Sequence, residues 1–550
     1  MTVDNTSPTS PGTPHRWWAL AAVALGVSLI IMDATVVNVA LPVVIEDLGL
    51  SATQAEWMNA VYSLMLAALL LTVGRVGDLY GRRRIFAIGM TVFVLASVAA
   101  GAAGSGAVLI AARLVQGAGA AMILPATLST LNAVFTGRER GIAFAVWGST
   151  IGGMAAVGPL VGGWLTTDVS WRWAFWLSVP VGLAVLAGIA TVVPETKDET
   201  TAPGLDWAGV LLSTFGMGAI VFALIESRTY GWWLQDSGSL SPIPVALAAG
   251  VALMVGFVAV QRTRRRAGRV VLVDLSLLGV RSFRYGSIAA LIVALGEFGL
   301  IFTLPLLLQN ALGYTALQTG WLIVSLAIGT FLISGATPQL TARLGGRTVV
   351  RLGLALEAVA VAGLAITLTQ SLGSWGIAGW LFLYGTGVGM ATAQLTSVIL
   401  AEIPVAESGQ ASGLQSTFRQ LGSALGVAVL GTVLLTTLGT STDTHLADAG
   451  VPDPPRGQLV EAVTSSAGSV IPSLQADPST AVAGDAGAAA LVHASKITTG
   501  AAAAVITVGL AATWALPYVP PAPHDPGPRD TAAEEPRRRG GRRRSTASAA

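Results

Sequence analysis

The chain has 550 residues, of which 53% are hydrophobic and only 11% charged, with a formal net charge of +2. A water-soluble enzyme of this length does not carry so much apolar surface, and the absence of cysteine excludes disulfides, thiol catalysis and thiolate metal sites. The composition points to a polytopic membrane protein, since each bilayer crossing takes about 20 apolar residues and the chain offers about fourteen such stretches.

In chain order the expected spans are 17–41, 55–73, 85–103, 107–131, 143–165, 173–193, 207–225 and 243–260, then 286–308, 319–337, 349–368, 375–399, 413–438 and 497–516. All are expected to be α-helices, because only a helix satisfies its own backbone within a single crossing. The expected fold is therefore all-α, in the order of a polar tail (1–16), six helices (17–193), a linker with two added spans (194–285), six further helices (286–516) and a basic tail (517–550). Residues 437–495, rich in Ala, Ser, Asp, Pro and Gly, read as one long mobile loop without helical periodicity.

Arginines segregate to one side of this arrangement. Arg82, Arg83 and Arg84 follow span two, Arg138 and Arg140 span four, Arg262 to Arg269 span eight, Arg343 to Arg351 surround the loop after span ten, and six more close the tail. By the positive-inside bias that side is cytoplasmic, as are both termini. Four histidines, His15, His445, His493 and His524, are scattered, and no metal centre is expected. Most of the fifteen tryptophans fall near span ends, as interfacial anchors do.

The first span contains Asp33-Ala-Thr35-Val-Val-Asn38-Val-Ala-Leu-Pro42. A carboxylate in hydrocarbon costs on the order of 3 kcal/mol, so Asp33 is expected to serve a pathway, a partner or a proton. Between spans two and three, Gly74-Arg-Val-Gly77-Asp78-Leu-Tyr-Gly81-Arg82-Arg83-Arg84 reads as a short hairpin whose charges latch helices in one conformation. A related fragment, Ala342-Arg343-Leu-Gly345-Gly346-Arg347, follows span ten and suggests two repeated halves. Span four carries Arg113 with Gln116 and Gly117. At about 1.5 Å per residue its depth matches that of Asp33 to within a few Å. The two are expected to meet, and movement of Arg113 would then change the proton affinity of the site. Span five holds Gly158-Pro159-Leu-Val-Gly162-Gly163, in which small residues allow close helix approach and Pro159 allows a bend. Glu297 in span nine and Glu357 in span eleven are further candidates for a proton or cation site.

Together with Trp171-Arg172-Trp173, Leu308-Gln309 and Ser412 to Gly422, these motifs resemble the major facilitator superfamily, specifically its fourteen-span drug:proton antiporters of the EmrB/QacA type. The resemblance covers essentially the whole ordered chain. It implies two six-helix bundles plus two central helices, an exporter-type span five, a part for Arg113 in proton coupling, and a part for Asp33 in protonation or in recognition of cations. The expected activity is proton-coupled export of drugs, antibiotics or other amphipathic, often cationic, compounds, from a monomer in a bacterial plasma membrane. No cofactor beyond the proton gradient and no nucleic acid is expected. Rival readings are a narrow exporter of a metabolite or lipid, a metal-tetracycline exchanger or importer, and a receptor or scaffold. No phosphate-binding Gly-Lys-Ser/Thr loop suits an ATP-driven pump, and no catalytic constellation is present.

Overall fold

A computed structural model describes residues 16–135, 137–197, 204–233, 239–403 and 408–516; of Asp78 and several residues between 137 and 156 it describes the backbone but no side chain. The polar tail, apart from Arg16, and the basic tail lie outside the described residues. The first series of helices is α1 (Arg16–Leu48), α2 (Ala52–Tyr80), α3 (Arg82–Gly101), α4 (Gly106–Val134), α5 (Gly137–Trp164), and α6 (Arg172–Trp176) continued by α7 (Ser178–Thr191). Next come α8 (Trp207–Tyr230) and α9 (Ile243–Arg266). The second series is α10 (Arg281–Leu306), α11 (Ala316–Leu344), α12 (Gly346–Thr367), α13 (Ser374–Leu400), α14 (Ser408–Asp448), α15 (Pro455–Ser465), α16 (Ile471–Ala476) and α17 (Ala481–Ala512).

Among the described residues eleven helical stretches, α6 and α7 joined as one, are long and apolar enough to cross a membrane. Helices α2, α5 and α13 have 29, 28 and 27 residues and, at about 1.5 Å per residue, match that length. The architecture is thus the expected all-α membrane fold. Successive spans run in opposite directions. One end of the bundle, the Arg82 face, carries the α2–α3 turn, and the other, the Asp47 face, carries the end of α1.

The same packing occurs twice. In the first series α3 lies on α4, α4 on α2, α1 on α5 and α7 on both α1 and α3. In the second, α12 lies on α13, α13 on α11, α10 on α14 and α17 on both α10 and α12. The series meet through α5 against α11 and α2 against α14, which are equivalent pairs if α1 corresponds to α10. Local chemistry repeats too. Helix α2 starts with a capping box of Ser51 and Gln54 and α11 with one of Thr315 and Gln318, each satisfying two backbone donors. Both end on a glycine in a positive-φ conformation, Gly81 at 117° and Gly345 at 80°, which turns the chain within one residue. The motif around Gly74 is therefore the last turns of α2 joined by Gly81 directly to α3, rather than an open hairpin loop.

The expected mobile loop at 437–495 is corrected by the structure. Helix α14 runs to Asp448, α17 begins at Ala481, and α15 and α16 fill the space between. Val463, Ala467, Ile471 and Leu491 are buried in a cluster with Leu41, Leu306, Leu435 and Leu438. These residues and the buried small residues of α17 from Ala483 to Ser495 dock the segment over the Asp47 face.

Candidate functional site

Asp33 on α1 and Arg113 on α4 meet inside the first six-helix set. Arg113 Nη1 donates to Asp33 Oδ2 at 2.5 Å and to Gln116 Oε1 at 2.9 Å. Gln116 Nε2 donates to Asp33 Oδ1 at 3.0 Å and to Ser97 Oγ at 2.8 Å, and Ser97 Oγ in turn donates to Phe93 O at 2.8 Å. The guanidinium also reaches Met58 O at 3.4 Å and lies 4.3 Å from the centre of the Tyr62 ring. Asp33 and Arg113 are each 1% exposed. A buried charge is tolerable only when paired and hydrogen-bonded, and here both conditions are met. Gly117 brings α4 close enough to α2, since a Cβ there would lie 2.6 Å from Tyr62 O.

Asn38 is half-buried one turn further along α1, its amide donating to Ala34 O at 2.8 Å, so it is separate from this network. Asp33 itself is buried among α1, α2, α3 and α4.

The second set has its own buried polar cluster. Glu297 of α10 lies 4.0 Å from Arg419 Nη2 of α14. Glu357 of α12 is fully buried, and neither of its carboxyl oxygens is hydrogen-bonded; the Tyr384 hydroxyl and Glu297 Oε1 are likewise without such a bond. Glu357 is within electrostatic reach of Glu297 and Arg419, as is Tyr384 of α13. Both acids belong to the second set, apart from Asp33. His445 and His493, distant in sequence, have ring centres 6.4 Å apart, but no group of three or more possible metal ligands occurs among the described residues.

The glycines of α5 make the contacts that join helices and halves. A side chain at Gly158 would collide with Thr35, and one at Gly162 would lie 2.9 Å from Val36 Cα, both on α1. Gly163 faces α11 instead, where a Cβ would lie 2.6 Å from Ala316 O. Pro159 is buried, and its carbonyl touches Gly320 of α11. Near the same end Gln309 Nε2 donates to Val39 O at 2.9 Å and Leu317 N to Thr167 Oγ1 at 3.1 Å. Deeper in, Ser63 and Ser423 are 3.2 Å apart across the α2–α14 contact. The half of the interface nearest the Asp47 face is closed.

On the Arg82 face the turn is strapped by the α7–α8 linker. Arg82 N donates to Thr196 O at 3.0 Å, Arg82 Nη1 to Ser129 O at 3.3 Å, and Arg83 N to Glu195 Oε1 at 3.1 Å. Arg83 Nη2 reaches Ala190 O at 2.7 Å, and Arg84 lies 3.6 Å from Glu195. Gly74 approaches Pro125 of α4. The side chain of Asp78 lies outside the described residues. Sequence reasoning missed Glu195, and missed the wholly buried Glu56 of α2, whose carboxyl packs on Gly431 of α14. Glu56 sits near a span end, where a carboxylate carries no signal; only its helix partner makes it an interface residue.

A family model described as Major Facilitator Superfamily matches residues 23–427. Similar proteins include the probable actinorhodin transporter of Streptomyces coelicolor, 33% identical over 81% of this chain and 77% of that protein. Puromycin resistance protein pur8 of Streptomyces alboniger is 37% identical over 80% and 84%. The multidrug efflux pump LfrA of Mycolicibacterium smegmatis is 33% identical over 84% and 89%. Among solved structures, a bacterial homologue of the human lysosomal transporter Spinster superposes with a TM-score of 0.63 at 17% identity, covering 92% of this chain and 99% of that one.

Proposed function

The chain belongs to the major facilitator superfamily of transporters, and from that premise we propose that it exports antibiotics or related amphipathic compounds from a bacterial cell in exchange for protons. The names of its relatives, which include an actinorhodin transporter, a puromycin resistance protein and a multidrug efflux pump, support the cargo class. The observation that carries proton coupling is the sealed Asp33–Arg113–Gln116 network, an ion pair held in the apolar interior of one half. Such a pair is weak evidence of stability, because apolar replacements of the same volume are often as stable or more so, which favours a working role.

In this reading the Arg82 face is cytoplasmic and the Asp47 face external. With the external half closed, cargo enters from the cytoplasm. A proton delivered to Asp33 removes the charge that Arg113 pairs with, so α1 and α4 repack, and the free energy of that repacking biases the two halves toward the other conformation. Glu297 and Glu357 form the second titratable set. Because Asp33 is enclosed, it acts on the proton rather than on cargo. Cargo is held at the interface of the halves, where apolar walls give breadth of specificity.

The test is transport in proteoliposomes with an imposed proton gradient, comparing the wild type with Asp33→Asn, Arg113→Ala and Glu297→Gln. Gradient-driven export by the wild type, lost in Asp33→Asn while unforced equilibration of cargo survives, supports the reading. Undiminished gradient-driven export in Asp33→Asn overturns the part assigned to that residue.

A further inference from the structure

The two helices between the six-helix sets are more than a connection. Helix α8 packs on α2 of the first set and on α14 of the second. Its residues Met217, Val221 and Ile225 are buried with Met58 and Leu64 of α2 and with Ala424, Val427 and Ala428 of α14. Two polar contacts fix it there. Trp57 Nε1 of α2 donates to Glu226 Oε1 at 2.9 Å, and Thr432 Oγ1 of α14 donates to Leu224 O at 3.3 Å. Beside them Glu56 is packed on Gly431. Helix α8 therefore straddles the α2–α14 seam on the half that is closed.

The start of α8 is also tied to α9 and to the chain that leads into the second set. At the start of α8 the buried Asp206 accepts from Gly209 N at 3.0 Å and Gln261 Nε2 at 2.5 Å, and lies 3.3 Å from Arg264. Gln261 Oε1 accepts in turn from Leu272 N at 2.9 Å and Val273 N at 3.2 Å. Val210 and Phe257 are buried in one cluster with Leu272, Leu277, Phe283 and Val350. The α8–α9 pair is thus built into the base of the second set. Towards the first set Arg75 Nε donates to Gly204 O at 3.0 Å, beside the linker contacts of Thr196 and Glu195 with the Gly81 turn.

We propose that the α8–α9 pair moves with the second six-helix set and serves as a clamp on the external closure, with the Trp57–Glu226 hydrogen bond as the latch that must release when that face opens. This rests on the alternating-access reading above. A latch of this kind stabilises the externally closed conformation, so its loss raises the population open on the Asp47 face.

The absence of native cysteine gives a clean readout. Ser423→Cys places a single thiol at the α2–α14 seam, and a membrane-impermeant maleimide applied from the Asp47 face reports opening. In that background Glu226→Ala and Trp57→Phe are each expected to raise the labelling rate about tenfold, the size of one charge-assisted hydrogen bond, and the double variant no further. Monodisperse elution and unchanged thiol reactivity in detergent-denatured protein check that the variants fold and label normally. Unchanged labelling in both variants, or a double variant equal to the product of the two, overturns the latch. The readout needs no transport, so a protein that moves no drug refutes the proposed function and leaves the clamp standing.

Discussion

Replacing Asp33 by Asn tests the central network through its energetics. In the native chain Arg113 has a carboxylate at 2.5 Å, Gln116 Oε1 at 2.9 Å, Met58 O at 3.4 Å and the Tyr62 ring at 4.3 Å. The asparagine keeps the shape but leaves a guanidinium that is 1% exposed without its counter-charge. Breaking a buried pair from one side costs about 3–5 kcal/mol. The remaining acceptors and the ring offset part of this, a desolvated cation over an aromatic face contributing about 2 kcal/mol. The expected net loss is about 1–3 kcal/mol. Asp33→Asn combined with Arg113→Gln leaves no buried charge, so the double variant should be less destabilised than the sum of the singles by at least about 2 kcal/mol. Denaturant titration of the detergent-solubilised protein, followed by tryptophan fluorescence, measures each corner of the cycle. Strict additivity would refute the claim that the pair is one electrostatic unit, and a stable Asp33→Asn single variant would refute its desolvated character.

Three further outcomes are expected. Gly163→Ala puts a methyl 2.6 Å from Ala316 O across the halves, whereas Gly162→Ala meets Val36 within one half; only the former should raise thiol labelling from the Asp47 face, while both lose about 1–3 kcal/mol of stability. Gly81→Ala forces a side chain into a backbone at φ 117° and against the Glu195 carboxylate; a loss of about 1–3 kcal/mol in the same denaturant assay is expected, and Gly279→Ala, with nothing within 4 Å, serves as the mild control. The 449–480 cap should resist limited proteolysis in reconstituted vesicles, and Ile471→Ala should sensitise it by removing about 2–4 kcal/mol of packing; rapid cleavage of the unmodified cap would contradict its docking.

Much of this was legible from residue type and spacing. A run of apolar residues must become a helix in lipid, so the all-helical membrane class followed directly. Asp33 and Arg113 were paired correctly because helical rise converts position into depth. The segment 437–495 was misjudged because its buried positions are mostly Ala and Gly, which pack closely without a strong hydropathy signal. Depth along an axis says nothing about rotation around it, and it is rotation that turns Asp33 toward Arg113.

The sequence by itself determined the bilayer as solvent, the helical class, the motif set of the superfamily and the depth of each intramembrane charge, because these follow from transfer energies and from a fixed rise per residue. Only the tertiary structure decided which helix faces which: Glu297 with Arg419, Glu56 against Gly431, Glu226 with Trp57, Glu195 under the Gly81 turn. Those pairings join residues 114 to 375 positions apart, and in hydrocarbon every outward face of a helix is about equally apolar. The choice among faces is made by close packing at glycines and by the need to pair each buried polar group, which are properties of the assembled bundle.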